Sequence, residues 1–190
     1  MPGAKLLSII KKIRQGQITV NGYNNILIHA GVCDVLNILN SKNNFVNSTP
    51  VHVILCRYLD LVLKIREFND TAIIQLSGII PVFRQHELTK YYIMGINNGI
   101  RILTSKLPSC VYLDTPSLFC KNFDPESRFF YDGLHLTHVA KAILGGRIRQ
   151  SFNKSQVDLY YKSKLYRYLR DEYPINIFNW YSFIPSVYLD

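Results

Sequence analysis

Asp132-Gly133-Leu134-His135 sets a carboxylate three residues ahead of an imidazole, close enough for the two to meet within one turn. A histidine that acts as a general base needs its ring held in one tautomer. A carboxylate accepting from Nδ1 does this, stabilises the imidazolium, and leaves Nε2 to face a nucleophile. The competing reading is an aspartate that caps the following helix beside an idle histidine. His138 completes a His-x-x-His pair with His135, but no third ligand is evident, so neither a metal nor another cofactor is expected.

Other reactive side chains fall where apolar runs end. His29-Ala30-Gly31-Val32-Cys33-Asp34, Ser77-Gly78-Ile79-Ile80-Pro81 and Asp114 each follow a run that reads as a strand. Ligands of α/β sheets bind at the carboxyl ends of strands. Ser77 suits a structural role there. Cys33 suits a small buried side chain, with a Cys-His site as its alternative. Ser8 falls inside a helical pattern and has nothing in its favour as a nucleophile. The sequence contains neither Gly-Asp-Ser nor a Gly-x-Ser-x-Gly elbow.

The elements that must position these residues alternate. Ala4 to Arg14 reads as a helix, Asn25 to Gly31 as a buried strand, and residues 40 to 49 as a loop rich in Asn and Ser. Pro50 to Phe68 reads as a helix with proline in its first turn. Ala72 to Ile80 follows as a strand, Glu87 to Lys106 as a helix and Cys110 to Leu113 as a third strand. A loop to Tyr131 and a helix from Thr137 to Ile148, with Thr137 as its cap, close the pattern. This alternation predicts an α/β fold with a parallel sheet, buried on both faces and covered by helices. Three strands are few for such a sheet, and an opening helix is unusual, so further strands are expected upstream. Residues 151–190 form a Tyr-rich extension to a domain over 1–150. Its pattern Leu159-Tyr160-Tyr161, Leu165-Tyr166, Tyr168-Leu169 suits a helix packed on that domain.

Hydrophobic residues make up 48% of the 190, enough for a sizeable core, and the 18% charged fraction excludes a disordered chain. The net charge of +9 would attract anions such as nucleic acid, although it also fits a solvated basic surface, and no nucleic-acid motif accompanies it. Cys33, Cys56, Cys110 and Cys120 include no Cys-x-x-Cys pair and read as buried free thiols in a reducing, intracellular compartment. No apolar run is long enough to span a membrane, and the N-terminal one is too short for a good signal peptide.

Asp132-Gly133-Leu134-His135-Leu136 with its following amphipathic helix resembles the last block of the SGNH (GDSL-type) hydrolases. The strand from Ile26 to Gly31 followed by Val32-Cys33-Asp34 resembles their Gly-x-Asn-Asp block. Leu76-Ser77-Gly78-Ile79-Ile80-Pro81 is similar to a strand end in the esterase-like domains of some retroelements, and Pro2-Gly3-Ala4-Lys5 to the turn after the family's second strand. The resemblance runs in order over about residues 2–150. It implies a flavodoxin-like three-layer α/β/α fold and hydrolysis of a small-molecule ester through a Ser-His-Asp triad. His135 would be the base, Asp132 its orienter, Gly3 a backbone donor to the oxyanion, and position 33 the side-chain donor. Two departures follow. The nucleophile block would precede Pro2, which makes the sheet N-terminally truncated, and Cys33 replaces an asparagine with a poor donor. Losing one oxyanion donor costs ~2.7–4 kcal/mol of transition-state stabilisation. The expectation is therefore an esterase-type domain with weak or no ester hydrolysis. The alternative is a non-catalytic accessory or nucleic-acid-associated module of retroelement origin.

Overall fold

A computed structural model describes residues 3–40, 50–82 and 87–153. Three strands, β1 (Asn25–Ile28), β2 (Ile73–Ser77) and β3 (Cys110–Leu113), form a parallel sheet in the order β1-β2-β3. Ile28 pairs with Leu76, and Leu76 with Tyr112. That register puts Ile26, Ile28, Ile74, Leu76, Cys110 and Tyr112 on one face, where all belong to or pack against the main apolar core.

Helices α1 (Leu6–Arg14), α2 (Val32–Asn40), α3 (Pro50–Phe68) and α4 (Glu87–Lys106) build the layer over this face. Right-handed crossovers in a sheet that advances in one direction put every connecting helix on the same side. α3 supplies the buried Ile54, Leu55, Tyr58, Leu61, Val62 and Ile65, and packs against both α1 and α4. The opposite face carries Leu27, Gln75 and Val111. There a last helix, α6, runs over residues 138–153, and Gln75 Nε2 donates to Ser151 Oγ at 2.8 Å. The fold is thus α/β, a parallel sheet flanked by helices on both faces.

The two ends of the sheet are treated differently. At the amino ends, the Arg66 guanidinium bonds the carbonyls of Ala72, Pro108 and Ser109 at 2.6, 3.0 and 3.2 Å and ties β2 to β3. At the carboxyl ends the polypeptide leaves through short turns. Asn97 of α4 holds one of them, accepting from Ile79 N at 2.7 Å and donating to Ile79 O at 2.8 Å.

The expected elements appear with some differences. The helix over Pro50–Phe68, the helix over Glu87–Lys106 and the strand over Cys110–Leu113 match the sequence reading. The first two strands are shorter than read, because Gly31 at φ +112° and the turn beyond Ser77 take the backbone out of extended geometry. Residues 32–40 are a helix that the sequence reading lacked. The expected loop to Tyr131 holds a one-turn helix α5 (Pro116–Phe119), a two-stranded pair β4 (Cys120–Lys121) and β5 (Asp124–Pro125), and a 3-10 turn (Ser127–Phe129). α6 runs to 153, past the expected domain limit at 150. Of the four cysteines, all free, only Cys110 is buried. Cys33, Cys56 and Cys120 keep partial exposure. The Asn- and Ser-rich segment 41–49, Pro2 and the Tyr-rich extension from 154 onward lie outside the described residues.

Candidate active site

The segment 129–137 is a closed loop. Phe130 bridges Leu136 in antiparallel fashion, Tyr131 N donates to His135 O at 3.1 Å, and Thr137 N to Phe129 O at 2.8 Å. Gly133 turns it with φ +84°, a conformation that side chains with a Cβ rarely adopt. Phe119, Phe130 and Ala140 are buried beneath the loop, with Leu136, Leu144 and Ile80 packed around them. Ile80 lies three residues beyond the end of β2, so the loop sits at the carboxyl end of the sheet.

Within this loop Asp132 Oδ1 accepts from Leu134 N at 2.9 Å and from His135 N at 2.7 Å. Its other oxygen meets His135 Nδ1 at 2.5 Å. The His135 bond, then the two backbone amides, hold the Asp132 carboxyl at a pKa of about 2. With Nδ1 facing the carboxylate, Nε2 is left for another partner. Tyr131 stacks on the imidazole, centroids 5.6 Å apart and planes 16° apart. The dyad is open: side-chain exposure is 55% for His135 and 41% for Asp132. Thr137 caps α6 as expected, accepting from Ala140 N at 3.3 Å.

No serine, threonine or cysteine among the described residues bonds His135. Ser77 is 1% exposed and turned toward other partners, and Ser8 lies exposed on α1. Cys33 stands half-buried in the first turn of α2. Gly3 lies in the turn before α1 at φ +72°. Their two segments are drawn together by the buried Asp34, which accepts from Leu6 N at 2.9 Å and from Arg57 at 3.0 Å. The structure thus unites Asp132 with His135, and Gly3's neighbourhood with Cys33's. Among the described residues, no group of three or more His, Cys, Asp or Glu is spaced to hold a metal.

A second histidine site was not read from the sequence. His29, one residue past β1, contacts Ser77 Oγ through Nδ1 at 2.7 Å. Ser77 Oγ contacts Thr115 Oγ1 at 2.9 Å, and Thr115 donates to Gly78 O at 2.5 Å. His29 is an exposed residue as a whole, yet burial around its ring lowers its pKa from 6.5. A histidine and a serine both placed at strand ends were the only signals in the sequence. Their pairing depends on strand register.

Comparison with known proteins agrees with this architecture. No family model matches the chain, and no curated protein does. Solved structures do. A Bacteroides fragilis protein described as an acylhydrolase superposes with a TM-score of 0.60 at 16% identity, over 80% of this chain and 72% of its own. A Streptococcus pneumoniae protein described as a platelet activating factor superposes with a TM-score of 0.58 at 17% identity, over 82% of this chain and 68% of its own. At this identity the likeness is one of fold. No helix among the described residues is long and apolar enough to cross a membrane.

Proposed function

We propose that this chain is an esterase-type domain of the SGNH hydrolase kind that holds the base and orienter of ester hydrolysis, with no serine set against that base among the described residues. His135 is the base, Asp132 its orienter, and Gly3 and Cys33 flank the place of an oxyanion. The observation that carries the reading is the 2.5 Å contact of His135 Nδ1 with a carboxylate already pinned by two amides. The acylhydrolase fold supports it. A tautomer-fixed imidazole at the carboxyl end of a parallel sheet is what ester cleavage needs from a base. The dyad alone cannot form an acyl-enzyme, and the thiol of Cys33 is a poor oxyanion donor. Turnover of short-chain nitrophenyl esters is therefore expected to be weak. Robust turnover that vanishes in His135→Ala would show that the dyad has a nucleophile and overturn that expectation.

A second reading is a non-catalytic accessory module of retroelement origin that binds nucleic acid. It draws on α6, whose exposed side carries Lys141, Arg147 and Arg149, with no acidic residue in 138–153. Filter binding to single-stranded RNA that weakens steeply with salt is its expected signature. Salt-independent retention, or none, removes it.

A further inference from the structure

The contacts around His29 decide where its proton sits. Four contacts join the group: His29 Nδ1 to Ser77 Oγ, Ser77 Oγ to Thr115 Oγ1, Thr115 Oγ1 to Gly78 O, and Ser77 Oγ to Gly78 O at 3.1 Å. The Gly78 carbonyl supplies no proton, and each hydroxyl supplies one. With hydrogen on Nδ1, the imidazole donates to Ser77, Ser77 donates to Thr115, and Thr115 donates to Gly78. Three of the four contacts are then true hydrogen bonds. With Nδ1 bare, Ser77 must donate to it, and the one remaining proton, on Thr115, serves a single further contact. Ser77 and Thr115 are 1% and 0% exposed, so water does not make up the difference. The Nδ1–H tautomer is the one this pocket selects, and the unshared lone pair sits on Nε2.

Nε2 has no partner among the described residues, and His29, an exposed residue, lies one position past the carboxyl end of β1. This is the end of an α/β sheet where ligands bind. The arrangement parallels a triad in which a buried group fixes the tautomer from behind. Here that group is a neutral hydroxyl chain instead of a carboxylate.

From this geometry we infer that His29 is a second base, independent of Asp132 and His135, which activates water against carboxylic esters with good leaving groups, such as aryl acetates. Nε2 takes a proton from water as the water oxygen bonds to the carbonyl carbon. The imidazolium so formed keeps its Nδ1–H on Ser77. When the tetrahedral adduct collapses, the bond from carbon to the leaving oxygen breaks, and Nε2–H returns the proton to that oxygen. Water and ester become acid and phenol, and His29 ends as it began. The buried chain need not rearrange at any step.

The test uses the full chain. Two-bond nitrogen–proton NMR spectra should show His29 as the Nδ1–H tautomer near neutral pH; an Nε2–H tautomer overturns the inference. Hydrolysis of p-nitrophenyl acetate above the buffer blank should fall about tenfold or more in His29→Phe, at the modest end of what a positioned base contributes. His29→Gln should show the same loss, which guards against misfolding of the bulkier variant, and circular dichroism checks both. A rate kept by His29→Phe but lost in His135→Ala overturns the inference and assigns the chemistry to the dyad. No turnover above the blank also overturns it, yet leaves the reading of the dyad standing, since that reading expects little.

Discussion

The two histidine sites hold their rings in different ways. His135 is gripped by an aspartate three residues away, inside a loop closed on itself, with both side chains partly in water. His29 is held by Ser77, 48 residues away, which is backed in turn by Thr115, 86 residues away; both hydroxyls are buried at the ends of the parallel strands. The first grip is charged, short and screened by solvent. The second is neutral, and its rigidity comes from the sheet. A carboxylate can stabilise an imidazolium, whereas a hydroxyl chain fixes only the tautomer. The site that looks catalytic in sequence is thus electrostatically equipped and open to solvent, and the unrecognised one is backed by buried hydroxyls but has no counter-charge among its contacts.

This contrast can be broken from either side. The largest effect is expected at Phe119, fully buried under the dyad loop and edge-on to Phe129 at 5.4 Å. Phe119→Ala should cost ~3–5 kcal/mol in a urea titration. It should also erase the downfield Nδ1 proton signal of His135 while leaving that of His29. Loss of both signals together would mean that the sites share one cooperative frame. Gly31→Ala is the counterpart for His29. A Cβ there would lie 2.5 Å from Tyr58 Oη and 2.8 Å from Ile79 Cδ1, at φ +112°. Overpacking and backbone strain together should cost about 2–4 kcal/mol, read as a lowered melting temperature.

Ser77→Ala removes the hydroxyl that joins His29 to Thr115. A loss of ~1–3 kcal/mol is expected from the unmade buried bonds, with a mixture of His29 tautomers in nitrogen NMR. An unchanged tautomer would show that the hydroxyl chain does not select it. The smallest effect belongs to Tyr131, 66% exposed: Tyr131→Ala should cost no more than about 0.5 kcal/mol, since exposed stacking is weak.

Acid should also separate the two sites. The folded pKa of His29 lies below 6.5, so the unfolded chain binds its proton first as pH falls. The stability this group contributes is present above pH 6.5 and is lost as pH drops below that value toward the folded pKa. The Asp132 carboxyl, at about 2 when folded against 3.8, contributes above pH 3.8 and loses its contribution as pH falls through about 2. Urea midpoints of the wild type and of His29→Gln, taken from pH 8 to 5, should converge as pH falls. Parallel curves would rule out a His29 contribution.

Much of this was legible in the sequence. Long helices with apolar spacing, Pro50–Phe68 and Glu87–Lys106, declare themselves because their periodicity persists over five turns. Helix α2 did not, because Val32-Cys33-Asp34-Val35-Leu36 continues an apolar strand run, and only the turn at Gly31 separates the two. The small elements between Pro116 and Phe129 are too short to carry a period at all.

Local chemistry follows the same division. Asp132 and His135 are three residues apart, so their meeting needs one turn of backbone, which the spacing allowed beside the reading of a helix-capping aspartate. His29, Ser77 and Thr115 are separated by whole crossovers. What joins them is the pairing of Ile28 with Leu76 and the bond from Gly78 N to Leu113 O. That register is set by the apolar face that α1, α3 and α4 cover, and a shift of one residue would turn Ser77 away from His29. The sequence by itself determined the α/β class, the long helices and the Asp132–His135 dyad, since each depends on contacts within a few residues. Only the tertiary structure decided the second histidine site, because its partners are chosen by packing across the sheet.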